Sequence, residues 1–158
     1  MKFNPDLRVF GNTSYRGNCP IEAEDQAAFF EWVRLSHPGI GALAFHPRNE
    51  GARSMAQFIS HQNQGLTVAV PDIVIPVRYP FLCEMKRRDH TKSRWSPGQE
   101  QYLLSANSKG AFACVALGFD ATVEAFRCWL LDSMHPSKRS ISGKLITPNS
   151  GGCNVPKN

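Results

Sequence analysis

A chain of 158 residues, 42% hydrophobic and 20% charged, is long enough for one domain with a real core and too short for two comfortable ones. Its net charge of +5 favours an anionic partner, nucleic acid ahead of membrane, because no basic amphipathic helix of membrane type stands out. Five cysteines without a CxxC pair, no apolar run at the N-terminus and no stretch of transmembrane length exclude a secreted disulfide framework and a bilayer span, and fit the reduced cytosol.

Residues 1–19, with Gly, Asn, Ser and Thr around 11–18, read as an irregular lead-in. Pro20 then stands at the first helical position of a helix running to Leu35. Projected at about 100° per residue, Phe29, Phe30, Trp32 and Val33 define its apolar side, with Glu24 and Glu31 opposite. Glu22 and Gln26 fall inside the apolar sector. Glu22 is either an acid aimed at the core or a first-turn carboxylate favoured by the helix dipole. His37-Pro38-Gly39 breaks the helix, and Ile40–Phe45 reads as a strand. A polar, turn-rich loop leads to a helix from Met55 to Gln64, ended by Gly65.

Two short strands follow, Asp72–Ile75 and Phe81–Lys86, in a hairpin centred near Arg78 or Tyr79. Strand side chains alternate, so Glu84 and Lys86 share a face, with Asp72 across from one of them. Two carboxylates and an ammonium at a half-buried point are costly unless something compensates the charges. The cluster reads either as a buried salt bridge or as a site for a divalent cation.

Lys86 to Arg94 holds five Lys or Arg and a single Asp, which makes it either a solvated loop or a surface that steers phosphates. Ser96 N-caps the next helix, with Pro97 in its first turn and Gln99 completing a capping box. That helix runs to about Ser108, and Gly110 ends it. Ala111–Leu117 is a buried strand. Asp120 caps a last helix, Ala121 to about Leu131, whose Val123, Phe126, Trp129 and Leu130 face inward. Cys83, Cys114 and Cys128 lie in apolar segments, as buried free thiols do. Beyond Met134 the chain turns Ser-, Gly- and Pro-rich, with four basic residues and no acid, and reads as an extended arm. The plan is a lead-in (1–19), a folded domain (20–132) and a basic tail (133–158). The fold class is α/β, a small mixed β-sheet flanked by helices on both faces.

Glu22, Pro71-Asp72 and Glu84-Met85-Lys86 together resemble the PD-(D/E)XK nuclease superfamily. The wider match is to its VRR-NUC branch. Glu22 has Gln26 four residues on, and Pro47-Arg48-Asn49-Glu50-Gly51 with Arg53 resembles the branch's Pro-Asn-Gly or Asn-Glu loop. A Gly-X-Pro-Asp strand, an E-X-K strand and a Ser-Pro-X-Gln helix, here Ser96 to Gln99 and ending at Gly110, complete the set. The match spans residues 20–132 in the branch's order. Arg48 interrupts the usual Pro-Asn pairing, and Ala69 stands where Gly is expected.

The resemblance implies a PD-(D/E)XK restriction-endonuclease-like core and a Mg²⁺-dependent endodeoxyribonuclease, with Mn²⁺ as substitute. Asp72 and Glu84 would be direct metal ligands, the Met85 carbonyl would assist, and Glu22 would reach the metal directly or through water. Lys86 would orient or deprotonate the attacking water, with Gln99 placing it. Arg48, Asn49, Arg53, Arg87, Arg88, Lys92 and Arg94 would contact nucleic acid. The substrate implied is double-stranded or branched DNA such as a four-way junction, and small stand-alone relatives of phage type resemble homodimeric junction-resolving enzymes of the host cytosol.

The competing reading is a non-catalytic nucleic-acid-binding accessory protein on the same fold. A zinc module is disfavoured, since His37, His46, His61, His90 and His135 do not pair with cysteines at finger spacing. Each reads as a surface or loop residue, His46 being the exception because it borders the Asn49 loop. No GxSxG is present to suggest a serine hydrolase.

Overall fold

Four strands form one mixed sheet in the order β1-β4-β3-β2: β1 is Arg8–Phe10, β2 Ile73–Ile75, β3 Phe81–Lys86 and β4 Phe112–Leu117. β2 lies antiparallel to β3, while β1 and β3 both run parallel to β4. The helices are α1 (Glu22–Ser36), the single turn α2 (Pro38–Gly41), α3 (Gln99–Ser108) and α4 (Phe119–Met134). This computed structural model describes residues 1–47, 59–61, 63–67 and 69–134.

Alternation along the strands sorts the core into two layers. β3 sends Phe81, Cys83 and Met85 to one face, where they pack with Phe29 and Val33 of α1 and Phe126 and Trp129 of α4. Leu82 goes to the other face, with Val74, Val115 and Leu103 of α3. Every residue of β3 and β4 is buried. Strands covered on both sides read as near-continuous apolar runs, and β4 does. β3 departs from that pattern only at Glu84 and Lys86, which are 1% and 3% exposed.

Several expected boundaries shift, each for a local reason. The lead-in is not irregular throughout, because Arg8–Phe10 adds a parallel edge strand to β4 with Leu7 buried beneath it. α1 starts at Glu22 rather than at Pro20. Ile21 at its N-cap offers no side-chain acceptor, and the Ile21 N–H donates to the Glu24 carboxylate at 3.3 Å. Ile40–Phe45 is not a strand. A Cβ on Gly41 would fall 2.6 Å from the Arg34 Cα, so the absent side chain lets α2 lie directly on α1. Strand pairing persists only at Phe45, an isolated bridge to Val74 with N–H to O distances of 3.0 Å both ways.

α3 begins at Gln99 with Gly98 (φ +86°) as its N-cap, not Ser96, and α4 begins at Phe119, so Asp120 sits inside its first turn. Cys83 and Cys114 are free and buried as expected. Ile59–His61 and Asn63 are helical ahead of Gly65. The rest of the expected Met55–Gln64 helix, the loop bearing Arg48, Asn49 and Arg53, and the tail beyond Met134 lie outside the described residues.

Candidate active site

The hairpin pairs Ile73 with Cys83, and one step back along that register Asp72 faces Glu84. Both acids are therefore set by strand geometry at the end of β3. The Lys86 ammonium donates to Glu84 Oε1 at 2.6 Å, two residues along the same face. Glu84 Oε2 is buried with no hydrogen-bond partner. Asp72 Oδ2 accepts the Met85 N–H at 3.0 Å. Burial pushes the Glu84 carboxyl up to about 8, the Asp72 charge adds to this, and Lys86 opposes it. Asp72 is also raised, mainly by burial, with Lys86 again opposing.

Three other segments close on this pair. The Asp72 carbonyl accepts His46 Nδ1–H at 2.8 Å and, at a longer 3.5 Å, the Gln26 amide from α1. A carbonyl can only accept, so that bond assigns the His46 proton to Nδ1 and leaves Nε2 as the other ring nitrogen. Gln99 Oε1 accepts the Ser96 N–H at 2.8 Å and meets Lys86 Nζ at 3.5 Å. Lys86 also stands 5.5 Å from the Trp95 ring centroid. Glu22, in the first turn of α1, accepts the Ser93 hydroxyl at 2.5 Å and the Arg87 N–H at 3.3 Å.

Glu22, Gln26, His46, Asp72, Glu84, Lys86 and Gln99 all line one cleft of about 760 Å³, together with Arg87, Lys92, Ser93 and Arg94. Glu84 is engaged by Lys86 and Glu22 by Ser93, and among the described residues no group of three His, Cys, Asp or Glu is arranged to hold a metal ion. The donor set nonetheless suits a hard divalent cation: carboxylate oxygens, one of them buried and unpartnered, in a polar cleft.

The basic segment after β3 is a partly structured loop, with Arg88, Lys92 and Arg94 exposed and one turn of helix in it. Its Asp89 is buried and caps a 3₁₀ turn, His90–Lys92, by accepting the Thr91 N–H. The Thr91 hydroxyl and the Gly17 N–H hold the Asp89 carboxyl down to about 2. His90 is buried, donating Nε2–H to the Thr13 carbonyl at 2.9 Å, and Lys92 donates to the Gly17 carbonyl at 2.7 Å. Arg87 donates to the Cys19 carbonyl at 3.1 Å. Arg88 is exposed, with its guanidinium 4.4 Å from the Tyr15 ring centroid, and does not line the cleft.

No protein-family profile and no curated protein matches this sequence. A solved structure described as a VRR_NUC domain protein does match in shape, with a TM-score of 0.57 at 15% identity over 74% of this chain and 92% of that one. The fold is VRR-NUC-like, a mixed four-stranded sheet between helices. At this identity the likeness is one of fold, and the chemistry has to be argued from the cleft itself.

On this fold, Glu22, Asp72, Glu84, Lys86 and Gln99 meet at one place although they come from α1, the residue just before β2, β3 and α3. Two residues that touch this group carry little sequence signal. Ser93 is one polar residue in a polar run, and Trp95 reads as an isolated aromatic. Asp25, a buried acid in the same helix as the half-buried Glu22, does not line the cleft and accepts the Phe119 N–H at the start of α4.

Proposed function

We propose that this chain is a Mg²⁺-dependent endodeoxyribonuclease, with Mn²⁺ as substitute, that acts on branched or double-stranded DNA and works as a homodimer in the cytosol. The observation that carries this reading is Glu84. It is a carboxylate on a core strand, facing a second carboxylate at Asp72, with one oxygen on Lys86 and the other on nothing. Burying two acids together is unfavourable for folding alone, and a divalent cation between them offsets that cost.

Asp72 and Glu84 would hold the cation, joined by the Met85 carbonyl and by Glu22. Bound Mg²⁺ would supply positive charge where negative charge develops on the phosphoryl oxygens. Lys86, as an ammonium, would orient the attacking water; the water oxygen bonds to phosphorus as a P–O ester bond breaks, the water's proton passes to solvent and the leaving oxygen takes one from solvent. Gln99 holds Lys86, and is itself locked by the Ser96 N–H. Lys92 and Arg94, at the cleft wall, draw in the phosphate, and His46 and Gln26 fix the backbone of Asp72.

A specific observation favours a second reading, the non-catalytic nucleic-acid binder. The Lys86–Glu84 pair is already closed, and the three acids are not arranged as a ready cation site. Incubation with four-way, flapped and linear DNA in Mg²⁺, Mn²⁺ or EDTA separates the two. Metal-dependent cutting that Asp72→Ala abolishes, with binding kept in Lys86→Ala, supports the enzyme. Binding with no cleavage under any of these conditions supports the binder.

A further inference from the structure

We infer that Ser93 is the positioning residue for Glu22, so that the basic segment after β3, and not α1 alone, sets where the third acid of the cleft stands. The inference rests on the cation site proposed above. Glu22 lies in the first turn of α1, and its side chain has several free torsions that the helix does not determine. Its Oε1 is held by two donors, both from the segment after β3: the Ser93 hydroxyl and the Arg87 N–H. The two donors are themselves joined, since the Arg87 N–H also donates to Ser93 Oγ at 3.1 Å. The bonds form a small ring between one carboxylate oxygen, one hydroxyl and one backbone amide.

This ring is anchored from behind. Ser93 follows the 3₁₀ turn that Asp89 caps, and its own N–H donates to the His90 carbonyl at 3.3 Å. That turn is tied in turn to the lead-in through the Gly17 N–H on Asp89. The hydroxyl thus stands on a fixed support, which is what a group that orients a ligand needs. With Oε1 occupied, Glu22 has its second carboxylate oxygen available to the cleft that Asp72 and Glu84 also line. The segment that places Ser93 carries Lys92 and Arg94 as well, so the phosphate-facing cations and the third acid share one mounting.

The test is calorimetric Mn²⁺ titration of the purified full-length protein without DNA. It uses wild type, Ser93→Ala, Ser93→Thr, Glu22→Gln and the Ser93→Ala/Glu22→Gln double variant, with Asp72→Asn as the control for the site itself. Removing an outer hydrogen bond to a ligand weakens metal affinity by about tenfold or more. Ser93→Ala should lose about that factor, Ser93→Thr should restore most of it, and Ser93→Ala should add nothing in the Glu22→Gln background. Thermal melts without metal accompany each titration, so a fold defect shows as a lowered Tm that Ser93→Thr shares.

Equal affinity in wild type and Ser93→Ala overturns the inference, as does a loss of the same size in the Glu22→Gln background. If wild type binds Mn²⁺ and only Asp72→Asn weakens it, the cation site stands and the Ser93 role falls. If wild type binds no Mn²⁺ at all, the proposed function falls and takes this role with it.

Discussion

Glu84 is almost fully buried at the floor of the cleft, and its charge is disfavoured by burial and by Asp72 more than Lys86 compensates. Its proton affinity in the folded chain is raised from 4.5 to about 8. Between those values the folded state holds a proton that the unfolded state has released, so stability is highest below about pH 4.5 and falls as pH rises towards about 8. The raised Asp72 carboxyl acts in the same direction. Glu84→Gln does not titrate and should flatten the slope. Urea unfolding at about pH 5 and about pH 9 should move the stability difference in the variant's favour by on the order of 2 kcal/mol. A difference that stays the same across that range contradicts the assignment. Above about pH 8, where Glu84 is ionised, Lys86→Ala leaves that charge buried without its cation and should destabilise the protein by about 3 kcal/mol.

The elements of this fold are held by contacts that local propensity does not reveal. Gly41 is the clearest case. Replacing a helical glycine with alanine ordinarily stabilises by about 0.5–1 kcal/mol. Here the new Cβ would meet the Arg34 Cα at 2.6 Å and the Arg34 N at 2.9 Å, which are backbone atoms that cannot swing aside. Gly41→Ala should instead cost about 1–3 kcal/mol. A melt that rises in this variant would show that α2 does not lie on α1 as described.

The same contact explains why 40–45 misled as a strand: apolar composition matched one, but a tertiary approach between α1 and α2 decided the outcome. The hairpin was legible because its signal is local. Alternation and length gave two strands, and of the two registers left open, centred near Arg78 or Tyr79, the structure takes the one at Arg78. That Glu22, Asp72, Glu84, Lys86 and Gln99 share one cleft was expected from the resemblance in motif order, while the residues alone left Glu22 and the charged cluster open. Ser93 was not legible, since its meaning depends on a hydrogen bond across 71 positions to a helix that sequence separation hides. β1 was missed because three residues on a sheet edge carry too few alternations to register against a turn-rich background.

At the scale of the whole molecule, charge and shape point the same way. The net charge is +5, and the segment following β3 places cations beside the acids. Arg88, Lys92 and Arg94 are exposed, whereas Arg87 is half-buried and tied to the Cys19 carbonyl. Substituting the three exposed cations with alanine should reduce the dependence of log affinity on log salt for duplex DNA by roughly 0.9 for each phosphate no longer neutralised. Arg87→Ala should chiefly lower the melting temperature, because it frees a carbonyl that packs the lead-in against the sheet. An unchanged salt slope in the triple variant would place the nucleic-acid surface elsewhere. Among the described residues no helix is long and apolar enough to cross a membrane.

Nuclease chemistry in this cleft requires that Asp72 and Glu84 receive a divalent cation beside Lys86. The most direct measurement is anomalous scattering from crystals of the protein grown with Mn²⁺. We expect a peak between the two carboxylates, with Glu84 Oε2 turned to it and Glu22 facing the same site. Manganese bound only elsewhere, with Glu84 still closed on Lys86 and Asp72 still on the Met85 N–H, would contradict it.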